Sequence, residues 1–207
     1  MDPADIRAGY ATVAQAYREQ LQGELAGKPL DRAFLDAFAE RVTGRIVDVG
    51  CGPGQIAAYL QSRGADVAGL DLSPHMIAEA RAAHPGIELT VGDMLALPYA
   101  DGSLAGIAAF YAIVHLPTTE LLAPFRELHR VLAPGGLLAI AFHTGTGHVH
   151  VDDMWGCATS LDFFFHPAAE VAARLADAGF TLEARLDREP YPGVEHPSQR
   201  SYLLARR

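Results

Sequence analysis

Apolar residues recur along this chain with two different periods, and the change of period divides it. Near the N-terminus Ile6, Tyr10, Val13, Tyr17 and Leu21 follow at steps of three or four, which predicts one stripe of an amphipathic helix. A second helix carries Phe34, Leu35, Phe38 and Val42 behind the breaker Lys28-Pro29. From IVDV (46–49) onward the period shortens. DVAGLD (66–71), IELTV (87–91), LAGIAAF (104–110) and LLAIAF (137–142) follow as strands. Between them come a helix over 55–63 that Gly64 can end, and one opened by Ser73 as N-cap and Pro74, with Met76, Ile77 and Ala80 inward. A third helix sets Leu121, Leu122, Phe125, Leu128, Val131 and Leu132 on one side.

Strands that are apolar throughout and alternate with helices imply a parallel sheet covered on both faces, the doubly wound α/β plan. The segment from His143 to about His166 is expected to be irregular. One more helix carries Val171, Ala172 and Leu175 and stops at Gly179. FTLEARL (180–186) and SYLLARR (201–207) follow with a loop of about fourteen residues and no helix between them, so they should pair antiparallel. No internal repeat or interdomain linker interrupts the pattern.

Composition narrows the setting. A length of 207 residues suits one domain with a full core. A formal net charge of −9 repels a duplex phosphate backbone, so nucleic acid is not an expected partner. No stretch reaches the roughly 18 apolar residues of a membrane span, and MDPADIRAGY lacks the basic start and apolar run of a secretion signal. A cytoplasmic protein is expected, with Cys51 and Cys157 as thiols.

The candidate chemistry begins at VDVGCGPGQ (47–55), where glycine occupies every second position after Asp48. The spacing is G-x-G-x-G, whereas a dinucleotide fingerprint needs a glycine where Gln55 stands, and this disfavours a pyrophosphate cofactor and a nucleotide-dependent oxidoreductase. Asp71 closes the second strand, where a carboxylate can accept both hydroxyls of an unphosphorylated ribose. Asp93 and Met94 close the third, placing an acceptor and a flexible thioether where an adenine could be bonded and packed. The three acids are expected to form one line across the top of the sheet.

With these residues in place the chain resembles the class I S-adenosylmethionine-dependent methyltransferases, small-molecule branch. VDVGCGPG (47–54), GLDLSPHMI (69–77), GDMLALPYADGSLAGI (92–107) and HRVLAPGGLLAIAF (129–142) carry the resemblance, in order and at the expected intervals. It implies a seven-stranded, mostly parallel Rossmann-like sheet with only its last strand antiparallel and an N-terminal helical cap. It also implies that Asp48 and the backbone of Gly50, Cys51 and Gly52 hold the methionine part of S-adenosylmethionine, and that Asp71 holds the ribose. Leu72 and Met76 would flank the adenine, Asp93 and Met94 would complete its pocket, and Phe110 would lie beside the sulfonium. Tyr10 and Tyr17, in GYATVAQAYRE, would face the cofactor or else pack in the core. One domain over 1–207 is expected: a helical cap (1–42), a cofactor-binding core (45–142), an acceptor lid (143–166), and a C-terminal helix with the antiparallel strand pair (167–207).

A methyl on a sulfonium is already activated, so alignment of the acceptor is the main task, with a general base where the acceptor is protonated. His143, directly after the fifth strand, is the first candidate for that base, and His115 the second, with a structural role as its alternative. His148, His150, Asp152 and Asp153 suit neither a hard cation nor a common zinc pattern, so no metal is expected. Trp155, Phe163, Phe164 and Phe165 in the lid would shape an apolar or ring-bearing pocket, or else form an aromatic plug over the sheet edge or a dimer contact. Arg188, Tyr191, Glu195 and Arg200 are either a second wall or solvated loop residues. The expected function is methyl transfer from S-adenosylmethionine to an oxygen, nitrogen or carbon of a small organic acceptor, by a monomer or homodimer. The alternative is a protein that binds the cofactor without transfer, as a sensor or scaffold.

Overall fold

The computed structural model describes residues 2–207. Helix α1 (Pro3–Leu21) starts where Asp2 accepts the Ala4 amide at 2.7 Å and Pro3 takes the first helical position, whose missing N–H costs nothing there. Helix α2 (Pro29–Arg41) again opens on proline. The repeating part follows as β1 (Ile46–Val49), α3 (Gln55–Ser62), β2 (Val67–Asp71), α4 (Pro74–Ala83), β3 (Glu88–Val91) and β4 (Leu104–Phe110). It continues with α5 (Leu122–Val131) and β5 (Leu132–His143). The expected Ser73 cap is present, its hydroxyl accepting the Met76 amide at 3.3 Å.

The strands form a seven-stranded sheet that is completed by β8 (Thr181–Arg188) and β9 (Arg200–Arg206), in the order β3-β2-β1-β4-β5-β9-β8. Strand β9 runs antiparallel to both β5 and β8, while the pairings among β1 to β5 are parallel. The chain winds outward from β1 to β3, then crosses back to β4, so strand order reverses between β1 and β4. The C-terminal strand ends at such a switch point are where open α/β sheets bind ligands.

The two-residue period of the strands sorts the core into two layers. Val47, Val49, Ile107, Leu138 and Ile140 pack under α5 and under α6 (Ala168–Asp177). Ile46, Ala108, Leu137 and Ala139 pack under α2, α3 and α4. Each fully buried Val, Leu, Ile or Phe side chain contributes about 1.5–3 kcal/mol. Among the described residues no helix is long and apolar enough to cross a membrane.

One expectation fails: residues 148–164 are not irregular. They form a two-stranded antiparallel hairpin, β6 (His148–Met154) and β7 (Cys157–Phe164). Its two-residue turn is Trp155-Gly156, both at positive φ (55° and 81°), as the right-handed twist of a tight hairpin demands. The hairpin lies on α1, where the Thr159 hydroxyl donates to Gly9 O at 3.0 Å. Helix α1 is held on its other side by Arg18, whose Nε donates to Glu79 of α4 at 2.7 Å. A roof of helix and hairpin thus stands over the C-terminal ends of the strands.

Candidate active site

Under that roof lies a cavity of about 980 Å³, reaching from the ends of β2 and β3 to the ends of β5 and β9. One end is built from backbone. The β1–α3 turn crosses Gly50 at φ 71° and Gly52 at φ 52°, a conformation that favours glycine. A Cβ on Gly50 would meet the Ala112 Cβ at 2.6 Å, whereas one on Gly52 would face open cavity with Tyr17 Cε1 at 4.0 Å. The Gly50 and Cys51 amides donate to Leu70 O at 2.7 and 3.0 Å, fastening the turn to β2.

Asp71, at the end of β2, accepts the Gly52 amide at 2.8 Å on one oxygen and the Ser73 amide at 2.8 Å on the other. Burial raises its pKa, and the Ser73 and Gly52 N–H groups oppose that rise by bonding the charged form. The carboxylate lines the cavity with Leu72 and Met76 on one side and Asp93 and Met94 on the other. Asp93 Oδ1 accepts the Leu95 amide at 2.9 Å.

Asp48 stands elsewhere than expected. It is 1 % exposed, does not line the cavity, and its Oδ2 accepts the Ala57 amide at 3.1 Å inside the first turn of α3. Burial pushes its carboxyl up to about 7. The line of three acids is therefore two acids facing the cavity and one beneath the turn, holding α3 in place. Cys51 lines the cavity as a free, buried thiol, its pKa pushed up by burial.

Tyr10 and Tyr17 cover this end from α1, with ring centroids 5.9 Å apart and edge to face. Trp155 meets Tyr17 in the same manner at 5.5 Å. His115 fixes Tyr10. Its Nδ1 lies 2.7 Å from the Asp162 carbonyl, which can only accept, so Nδ1 carries the proton and Nε2 accepts from the Tyr10 hydroxyl at 2.7 Å. Burial lowers its pKa to about 4. The imidazole is neutral and both nitrogens are engaged, so its geometry is that of a clip joining α1 to β7.

The other end of the cavity is built from side chains. His143 lies there, with Nδ1 2.7 Å from the Ser198 hydroxyl and its ring 4.9 Å from Tyr111 and 5.8 Å from Phe165. Burial, then Arg200, His196 and Lys28, push its pKa down to about 3. Tyr111 turns the chain out of β4 at φ 58°, a costly conformation for a bulky residue. Phe110 lies against Phe34 and Tyr202, with centroids at 6.3 and 6.1 Å. Beyond them Arg188 Nη2 donates to Asp31 at 2.8 Å, the Tyr202 hydroxyl donates to the same carboxylate at 2.7 Å, and Glu195 bonds Arg188. These side chains are buried rather than solvated; Glu195 and Arg200 line the cavity wall, and Arg188 lies behind them.

A family model described as a methyltransferase domain matches residues 46–136. Over 186 residues the chain is 32% identical to a demethylmenaquinone methyltransferase of Beutenbergia cavernae, covering 88% of this chain and 75% of the relative. This chain belongs to the class I S-adenosylmethionine-dependent methyltransferases. A second relative, a malonyl-[acyl-carrier protein] O-methyltransferase of Enterobacter lignolyticus, is 32% identical over 67% of this chain, which spans 55% of that protein. The fold matches that of a Burkholderia thailandensis 1,6-didemethyltoxoflavin-N1-methyltransferase with a TM-score of 0.76 at 20% identity, over 99% of this chain and 88% of that one.

This methyltransferase takes S-adenosylmethionine as its methyl donor. Its residues fit the donor. Gly52 faces open cavity and Gln55 lines the same space, its Oε1 buried without a partner while its Nε2 donates to Glu24 at 3.1 Å. An amino-acid tail with an ammonium group suits that cradle, and Asp71 with its remaining lone pairs suits a ribose diol.

Gln55, Glu24, Lys28 and Asp31 were not singled out in the sequence. Gln55 was weighed only as a missing glycine, and Lys28 only as part of a helix breaker. His150, outside the cavity, is bracketed by Asp162 at 2.7 Å and Asp152 at 3.1 Å on the exposed hairpin.

Proposed function

We propose that the methyltransferase seats its donor at the glycine-turn end of the cavity and receives a compact, ring-bearing acceptor at the aromatic end. The continuity of the cavity carries this reading: one space of about 980 Å³ joins Gly52, Asp71 and Met94 to Phe110, His143 and Phe165. When bound, S-adenosylmethionine supplies an electrophilic methyl on a sulfonium centre.

The chain's own residues orient and enclose. Gly50, Cys51 and Gly52 present backbone to the methionine tail, Asp71 binds the ribose, and Leu72, Met76, Asp93 and Met94 form the adenine pocket. Phe110 stands where the two ends meet. Tyr10 and Tyr17 close the donor side, and residues 143–166 act as the acceptor lid over a helical cap formed by 1–42. Fixing two reactants at attack distance can lower a barrier by about 7–11 kcal/mol, and such a site needs no covalent catalyst. His143 Nε2 has no hydrogen-bond partner among the described residues and is the group offered to hydrogen-bond the acceptor, while its pKa of about 3 makes it a weak base.

The same reading makes the acceptor a free small molecule rather than a nucleic acid, supported by the net charge of −9. It places the enzyme in the cytoplasm, where Cys51 and Cys157 stay reduced. A monomer or homodimer suffices, since the cavity walls described come from one chain. Calorimetry with S-adenosylmethionine and S-adenosylhomocysteine tests the donor site, with binding of both expected. A mass gain of one methyl on a compound in a cell extract tests the transfer. Binding of neither ligand overturns the reading.

A further inference from the structure

His143 on β5, Arg200 on β9 and Arg188 on β8 stand opposite one another across three neighbouring strands. The two guanidinium groups so placed repel, and the pair is stable only because carboxylates answer it. Glu195 accepts from Arg188 through both its oxygens and from the Tyr191 amide at 2.8 Å, and Lys28 Nζ lies 3.3 Å away. Asp31 is taken by Arg188 and Tyr202. Glu24 is taken by Lys28 and Gln55.

Arg200 is left without a directed carboxylate. Its Nη1 donates to the Ser198 carbonyl and, at 3.3 Å, to the Ser198 hydroxyl. Its Nε lies 3.1 Å from Glu195 Oε2, yet the N–H is not aimed at that oxygen and has no hydrogen-bond partner. The side chain is 3 % exposed and lines the cavity beside His143. Nε is sealed from the cavity and Nη1 is taken by Ser198, so a permanently charged guanidinium with no squarely bonded carboxylate meets the cavity at its remaining edge, where an oxygen ligand can bond it.

We propose that Arg200 determines acceptor specificity, and that the acceptor presents to it an anionic oxygen, either a carboxylate or an ionised enol or phenol. This rests on the assignment of that end of the cavity to the acceptor. A guanidinium fork binds such oxygens with charge-assisted bonds stronger than those to a neutral carbonyl or amide. The neutral His143 beside it adds no competing charge and can hydrogen-bond the same group. Phe110, Tyr111 and Phe165 would then flank the body of the molecule.

The test is calorimetry on the enzyme saturated with S-adenosylhomocysteine, using matched probes: 2-naphthoate against 2-naphthamide, and 4-nitrophenolate against nitrobenzene. The first pair reports a carboxylate and the second an ionised hydroxyl. At least one anion should bind about ten-fold or more tighter than its neutral partner. Arg200→Gln should bring that ratio to near unity, and Arg200→Lys, which keeps the charge but loses the fork, should retain part of it. S-adenosylhomocysteine affinity should stay within about two-fold in both variants, which separates this proposal from the donor-site reading. Circular dichroism checks their fold, and if the Gln variant unfolds, a reduced ratio in the Lys variant carries the test. Equal binding within both pairs, no binding of any probe, or a preference that survives in a folded Arg200 variant would overturn the proposal.

Discussion

At the β1–β2–β3 end of the cavity the lining groups are backbone and side chains of three short turns, whereas at the β5–β9–β8 end they are the side chains of Lys28, His143, Glu195 and Arg200, backed by Asp31 and Arg188. The first end is local in sequence: Gly52 and Asp71, which bond each other, are 19 residues apart. The second is not, since Arg188 and Asp31 are 157 residues apart. A local site satisfies its polar groups with its own amides and is nearly complete before a ligand arrives. The distant one balances buried charges from several elements, and every member depends on the others. On the proposed assignment of the two ends, donor recognition can be shared across a family while acceptor recognition is set chain by chain.

Breaking the charged end should have the largest effect on the fold. Glu195→Gln removes a carboxylate whose burial is outweighed by Arg188, the Tyr191 amide, Arg200 and Lys28, so that its pKa lies at about 2. Taking one partner from a buried ionic group costs about 3–5 kcal/mol, and urea unfolding of the variant should show a loss of that order. The wild-type contribution is present above the ordinary glutamate range and is lost as pH falls towards 2. A loss below about 1 kcal/mol would mean that this end is no more interdependent than the other.

Gly50→Ala attacks the backbone end. The new methyl would meet Ala112 at 2.6 Å in a left-handed conformation, so the turn must shift. The strain costs about 1–3 kcal/mol, and S-adenosylhomocysteine affinity should fall about ten-fold or more by calorimetry. Unchanged affinity would show that the turn does not hold the donor.

His115→Gln should have the smallest effect. Glutamine can accept from Tyr10 and donate to Asp162, so stability near neutral pH should change by less than about 1 kcal/mol. The pH dependence should differ. Folded His115 stays neutral down to about 4, while the unfolded chain takes a proton near its ordinary 6.5, so wild-type stability falls as pH drops through that window. The variant should lose that part of the slope, measured by thermal unfolding between those pH values.

Much of the architecture was legible because it is written in local periods. Buried parallel strands are apolar runs, and helices carry their stripes, so the seven-stranded sheet with one antiparallel strand follows from IVDV to SYLLARR. The place of Asp71 at the cavity was legible from its position at a strand end beside a glycine turn, where it also accepts the Gly52 and Ser73 amides. Asp48 was misplaced because the pleat decides its side. It shares the face of Ile46, under α3, while Val47 and Val49 face the other layer. The hairpin was missed because the alternation of Val149 and Val151 with His and Asp is brief and lies on an exposed strand, while its partner strand is the one that packs on α1. The Lys28–Asp31–Glu195 cluster leaves no trace in any short window, since only the closed fold assembles it.

Trp155, held at φ 55° in the hairpin turn and 46 % exposed, is the only tryptophan of the chain. The indole emission of the whole protein therefore originates at one point, the tip of the hairpin against Tyr17. The molecule carries its own optical reporter at the doorway of the cavity, and a change in emission wavelength on ligand addition reads the wetting of that doorway without any label.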